Sequence, residues 1–194
     1  MGKSILLLGP KEAGKTQIRK SLAFEAYPSY MQTNEQGESV KIDSDGVLGW
    51  LGWDKITITE FGGLSWGFER GEERISNYDK VIYVLDGVRF IHELQDFQNG
   101  SETSSRLRHL MGKFENENEK RKKLFVVATH ADKYDGDMRK AILSRLQEVN
   151  KEYKAITSSL RYPFTEYFEG DRFYCFDATD YSSVDEAIKR ICNY

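Results

Sequence analysis

Three segments of this chain are almost continuously apolar: Ile5-Leu6-Leu7-Leu8, Val81-Ile82-Tyr83-Val84-Leu85 and Leu124-Phe125-Val126-Val127-Ala128. Runs of that length without polar interruption predict strands covered on both faces, as in a parallel sheet. With their flanks they give strands over residues 3–8, 80–86 and 124–129. Val40-Lys41-Ile42 and Ile56-Thr57-Ile58-Thr59 alternate instead, which predicts half-buried strands over 39–43 and 55–60. Gly46 and Gly49 lie between these two, an arrangement that suits an antiparallel hairpin at a sheet edge. A sixth strand is predicted over 172–176.

Helical patterning fills the gaps between strands, over 15–24, 91–114 (with a break near Gly100), 138–159 and 184–191. Ile142, Leu146 and Val149 give the long helix its apolar stripe at three-to-four spacing. Alternating strands and helices point to an α/β fold with a mostly parallel sheet and helices on both faces. The length of 194 residues is that of one domain, with no repeat or linker to divide residues 1–194.

Composition narrows the functional classes. A net charge of −3 argues against a nucleic-acid binder that works through bulk electrostatics. Two cysteines, Cys175 and Cys192, are too few for a disulfide framework and point to a reducing, cytoplasmic setting. No apolar run has transmembrane length. Leu6 stands where a myristoylation signal needs Ser or Thr, and Cys192 falls one place too late for a prenylation box. No intrinsic membrane anchor is expected, so membrane recruitment would come only through a partner. The acidic-then-basic stretch 115–123 is read as a solvated helix end.

The first apolar run leads directly into Gly9-Pro10-Lys11-Glu12-Ala13-Gly14-Lys15-Thr16, which fits G-x-x-x-x-G-K-[ST]. Glycines let the backbone turn tightly, so that successive N–H groups form an anion-binding nest at a helix N-terminus. Lys15 would reach the β- and γ-phosphates of a nucleotide, and the Thr16 hydroxyl would ligate Mg²⁺. The chain is therefore expected to bind a nucleoside polyphosphate.

From that loop onward the chain resembles the Ras-like small GTPases over essentially its whole length, with a counterpart to each of the five motifs of that family in order. Thr33, in Tyr30-Met31-Gln32-Thr33-Asn34, matches the switch I threonine that completes the Mg²⁺ shell. Glu60-Phe61-Gly62-Gly63-Leu64 stands where the family has D-x-x-G followed by a catalytic glutamine, so Gly63 would offer its N–H to the γ-phosphate. Thr129-His130-Ala131-Asp132 stands for N-K-x-D, with Asp132 accepting from N1–H and the 2-amino group of guanine. Phe176-Asp177-Ala178-Thr179 resembles the turn that presents an alanine N–H to guanine O6. Gly62-Gly63 and Ala178-Thr179 resemble the Arf and Sar branch, and the long helix after Asp132 resembles the β subunit of the signal-recognition-particle receptor.

The resemblance implies a Ras-like P-loop fold with a six-stranded, mostly parallel sheet and one antiparallel edge strand. It implies a switch that binds GTP and GDP with Mg²⁺ through Thr16 and Thr33. By the same resemblance Lys15, Thr33 and Gly63 would form the catalytic set. Lys11, Glu12, Ala13, Gly14 and Gln17 join them around the phosphates, while Thr129, His130, Asp132, Ala178 and Thr179 hold the base. The departures carry their own expectations. Leu64 can neither donate nor accept a hydrogen bond, so intrinsic hydrolysis should be slow. Lys11 would place a positive charge near the phosphates and hinder an arginine supplied by a GTPase-activating protein. The apolar hairpin with Trp50 and Trp53, beside the switch loops, is expected to meet an effector, and an exchange factor is implied. The alternative is a catalytically inactive, GTPase-like scaffold, and Glu60, Leu64 and His130 are the features in its favour. A P-loop kinase of small metabolites is the remaining reading, although no arginine-rich lid is evident.

Overall fold

The protein is described here from a computed structural model that covers residues 3–22, 38–43, 55–61, 65–95, 102–115, 124–156, 168 and 170–194. Six strands form one sheet: β1 (Lys3–Leu8), β2 (Glu38–Asp43), β3 (Lys55–Glu60), β4 (Lys80–Asp86), β5 (Leu124–Thr129) and β6 (Phe173–Cys175). Their order across the sheet is β2-β3-β1-β4-β5-β6. β1 pairs in parallel with β3 and β4, in a register that sets Leu7 beside Glu60 and Leu8 beside Tyr83. β4, β5 and β6 continue in parallel, and β2 runs antiparallel to β3.

Each apolar run sorts its side chains by parity, because successive residues of a strand point to opposite faces. Leu6, Leu8, Tyr83, Leu85, Val126 and Ala128 go to one core, while Ile5, Leu7, Ile82, Val84, Phe125 and Val127 go to the other. Helices cover both faces. α1 (Lys15–Leu22) and α6 (Tyr181–Asn193) close the second core through Ile18, Leu22, Val184 and Ile188. The first core is closed by α2 (Ser65–Glu73), α3 (Gly87–Gln95), α4 (Glu102–Glu115) and α5 (Met138–Ile156). A fully buried aliphatic or aromatic side chain contributes about 1.5–3 kcal/mol, and these two layers account for most of the burial.

Several boundaries differ from the sequence pattern, each for a local reason. The pattern does not predict α2, whose Gly67 and Gly71 lower helix propensity. It forms because Phe68 packs edge-on against Tyr83 and because Gly71 lets the helix lie directly on β1, where a Cβ would overlap the Leu8 side chain. The stretch expected to be helical over 91–114 with a break near Gly100 is described as α3 and α4. α3 starts four residues early, at the end of β4, because Asp86 caps it by accepting the Arg89 N–H at 3.0 Å. α6 likewise starts at Tyr181, where the Asp180 side chain accepts from the Ser182 N–H. Arg172 lies in a 3₁₀ turn, Gly170–Arg172, just ahead of the shorter β6. Among the described residues no helix is long and apolar enough to cross a membrane.

One aromatic cluster fastens α3 to β6. Phe168 is fully buried, stacks on Phe90 at 5.9 Å and meets Phe173 edge-on at 4.9 Å. Phe168→Ala is expected to cost about 3–5 kcal/mol, read as a shift of the urea unfolding midpoint at unchanged slope. A loss below about 1 kcal/mol would mean that the cluster does not hold these elements together.

Candidate functional site

β1 ends between β3 and β4, and the chain leaves it toward β3 and later crosses to β4. In an open α/β sheet such a reversal opens a crevice at the carboxyl ends of the strands, where ligands bind. The loop 9–14 occupies that position. Gly9 has φ +144°, and a Cβ there would overlap the Val84 carbonyl oxygen, so only glycine lets the loop leave β1 so close to β4. Gly14 (φ +89°) lies against the Thr129 side chain, 3.1 Å from its methyl carbon to the position of a Cβ. Glu12 is left-handed at φ +66°, a conformation that costs a non-glycine residue about 1–2 kcal/mol.

Lys15 opens α1 and is buried, its ammonium donating to the carbonyls of Gly9 (3.0 Å) and Pro10 (2.7 Å). Burial pushes its pKa down from 10.5 to about 8; the charge of Glu60 opposes that fall and that of Arg106 adds to it. Thr16 follows, and its hydroxyl donates to Glu60 Oε1 at 2.9 Å. Glu60, the last residue of β3, is fully buried. Arg19 comes three residues after Thr16 on the same face of α1, with Nε 3.5 Å from Glu60 Oε2.

Thr129 ends β5 and is fully buried. Its hydroxyl lies 2.9 Å from the Ala13 carbonyl and 3.2 Å from that of Leu85, joining the loop to the ends of β4 and β5. His130 is left-handed (φ +61°), and its Nδ1 sits 3.1 Å from Thr129 Oγ1 and 3.3 Å from Asp86 Oδ2. Burial pushes the Asp86 carboxyl up, but His130 and the backbone N–H groups of Arg89 and Val88 outweigh it and hold the group below its ordinary value. Asp132 is exposed in the 3₁₀ turn Ala131–Lys133. That turn is held beside the fifth motif by Ala131 N–H to the Phe176 carbonyl (3.5 Å) and Phe176 N–H to the Ala128 carbonyl (3.0 Å). Ala178 is buried, with its carbonyl accepting from the Ser21 hydroxyl at 3.2 Å. The Thr179 hydroxyl and N–H both bind the Asp177 carboxylate, so this pair shapes its own turn.

The loop, Lys15, Thr16, Gln17, Thr129, His130, Asp132, Ala178 and Thr179 therefore gather at one end of the sheet, along β1, β5 and β6. Lys11 is exposed and lies 3.7 Å from Glu12, so its charge has a partner within the loop. Thr33, Gly63, Leu64, Trp50 and Trp53 lie outside the described residues. Sequence reasoning missed Arg19 and Asp86. The first was visible as a cation on the inward, Ile18-to-Leu22 face of α1, and the second as the acid that ends an apolar strand before a helix. Among the described residues no group of three or more His, Cys, Asp or Glu side chains could hold a metal ion. Thr16 nonetheless fits a Mg²⁺ carried mainly by phosphate oxygens, because a hydroxyl that donates to Glu60 keeps its lone pairs available.

The Lys15 shift has a sign that can be checked in the ligand-free protein. The unfolded chain keeps that proton up to about pH 10.5, whereas the folded chain releases it near 8. Between those values the unfolded state binds more protons, so this group makes stability rise with pH across the window, and its burial cost is fully present below pH 8. Lys15→Met should flatten that rise in urea denaturation series; identical slopes in both proteins would assign the titration to another group.

The sequence matches the Gtr1/RagA G protein conserved region over residues 4–176. Comparison with curated proteins gives no sequence match. Among solved structures, the mammalian SRP receptor superposes with a TM-score of 0.65 at 14% identity, covering 97% of this chain and 100% of that one. A probable GTP-binding protein, engB, gives 0.59 at 14% identity over 98% and 97% of the two chains. The bacterial selenocysteine-specific elongation factor EF-Sec gives 0.58 at 14% identity, covering 98% of this chain and 28% of that one. At that identity the structural likenesses establish the fold alone, a Ras-like one. The motif match spans nearly the whole sheet and the crevice at its end, and by it the chain belongs to the Gtr1/RagA family of G proteins.

Proposed function

We propose that this protein is a GTP- and GDP-binding switch with slow intrinsic hydrolysis. The observation that carries the reading is the Thr129 hydroxyl bound to the Ala13 carbonyl, which locks the base-recognition motif to the phosphate loop. One nucleotide can then be gripped at both ends by a single rigid unit. Successive loop N–H groups and Lys15 would take the phosphates, with phosphate oxygens replacing the Gly9 and Pro10 carbonyls as partners of the ammonium. Mg²⁺, held by Thr16 and Thr33, would neutralise charge on the β- and γ-phosphates. Gly63 would sense the γ-phosphate, with Lys11 and Glu12 at the loop's outer rim. Asp132, in its exposed turn, would read guanine, with His130 and Ala178 beside it.

In this reading the domain spans residues 1–194 and acts on partners whose contacts change with the γ-phosphate. An effector would meet the switch loops and the Trp50/Trp53 hairpin, and an exchange factor and a GTPase-activating protein would set the nucleotide state. The working site would be cytoplasmic, with membranes reached only through a partner.

Two parts of this reading, the base and the rate, are tested. The protein purified in Mg²⁺ should release guanine nucleotide on denaturation, identified by ion-exchange chromatography. Asp132→Asn should weaken GDP by about 1.5–3 kcal/mol, roughly 10- to 160-fold, because the carboxylate accepts from two donors and an amide from one. Adenine nucleotide, or GDP affinity unmoved by that change, would overturn the assignment of the base. Second, Leu64→Gln should raise the single-turnover hydrolysis rate at least about tenfold by restoring a side chain that can orient water. An unchanged rate would remove Leu64 as the cause of slow turnover.

A further inference from the structure

Glu60 stands where G proteins of this fold carry a shorter carboxylate that holds a metal-bound water, and here two groups on α1 meet it. Thr16 donates to Oε1 at 2.9 Å, and Arg19 Nε lies 3.5 Å from Oε2. Both members of the ion pair are inside the protein, Arg19 at 6% exposure and Glu60 at 0%. A guanidinium does not lose its proton in a protein, and charges buried together are poorly screened. The glutamate's extra methylene carries the carboxylate from the end of β3 onto α1, where Thr16 and Arg19 follow one another at helical spacing.

We propose that Arg19 is a built-in cation that occupies Glu60 and so makes guanine-nucleotide binding only weakly dependent on Mg²⁺. This rests on the nucleotide-binding function proposed above and deepens it. A third-motif carboxylate draws the metal in as far as its negative charge is available to a metal-bound water. In this protein that charge is shared with a fixed guanidinium on one oxygen and a hydroxyl on the other. The region around the phosphates then receives positive charge from Lys15 and Arg19, two residues that leave only on unfolding. Arg19 acts through Glu60 and is a positioning residue, not a catalytic one. Thr16 keeps its capacity to ligate Mg²⁺, so the metal still binds and supports chemistry, but affinity for the nucleotide does not hinge on it.

The test is a fluorescence titration with a labelled GDP in excess Mg²⁺ and again in EDTA, compared as a ratio of dissociation constants. The natural protein should lose less than about tenfold in EDTA. Arg19→Met should raise that ratio at least about tenfold, and Arg19→Lys, which keeps the charge, should restore the natural ratio. Glu60→Asp withdraws the carboxylate from Arg19 without removing either charge and should also raise the ratio, which keeps the test decisive if Arg19→Met does not fold. The double variant Arg19→Met/Glu60→Gln should return toward the natural ratio, as expected when two residues act as one unit. A natural protein that loses tenfold or more in EDTA overturns the proposal, as does a Glu60→Asp ratio equal to the natural one. Failure to bind GDP even in Mg²⁺ overturns the functional reading and this inference together, whereas tight binding with a large ratio overturns the inference alone.

Discussion

One buried hydroxyl ties the working end of this protein together. Thr129 Oγ1 lies within hydrogen-bond distance of the Ala13 carbonyl, the Leu85 carbonyl and the His130 ring, so the phosphate loop, the end of β4 and the turn after β5 share one anchor. With no exposure to solvent, the group has no water to fall back on, and each contact is worth more than it would be at the surface. Gly14 packs on the same side chain, which is why the loop follows Thr129 so closely. From that anchor the rest is geometry. β5 positions the anchor, β1 delivers the loop, and the parity of the apolar runs fixes which helices lie over each face.

Around this anchor the interior is unusually charged for a small domain. Lys15, Arg19, Lys20 and Glu60 all lie within the folded protein, the first three along α1 and the last at the end of β3. Buried ions are weak contributors to net stability, because the cost of removing them from water is close to what their pairing recovers. These charged groups therefore add little to holding the fold together. Stability comes from elsewhere: the apolar layers on either side of β1, β4 and β5, and the aromatic packing of Phe90, Phe168 and Phe173.

The parts of this organisation that rest on local chemistry were legible in the sequence. β1, β4 and β5 announce themselves as uninterrupted apolar runs, and the phosphate loop as glycines at a spacing with a mechanical meaning. Its neighbours in space were less so. Arg19 looked like a cation on an amphipathic helix, since nothing local reveals that Glu60, 41 positions away, comes to meet it. Asp86 read as a strand end, although it also caps α3 and holds His130. α2 escaped because two glycines argue against a helix, and only its seat on Leu8 and Phe61 overrides them. Thr129 was placed correctly on β5, but its contact with the loop spans 116 residues of chain and belongs to the tertiary fold.

The thinness of the phosphate loop has a consequence for how this surface can change over generations. Gly9 presses on the β4 backbone, so a replacement there must push the sheet itself, and Gly14, at φ +89°, lies close against the Thr129 side chain of β5. Lys11 and Glu12 face outward with more than half of their side chains exposed. The same eight residues thus contain two kinds of inheritance: positions frozen by the carbonyls and methyls behind them, and side chains at the outer rim, Lys11 above all, that can vary with whatever molecule the rim meets. Divergence among proteins built this way should collect at the rim while the floor stays constant.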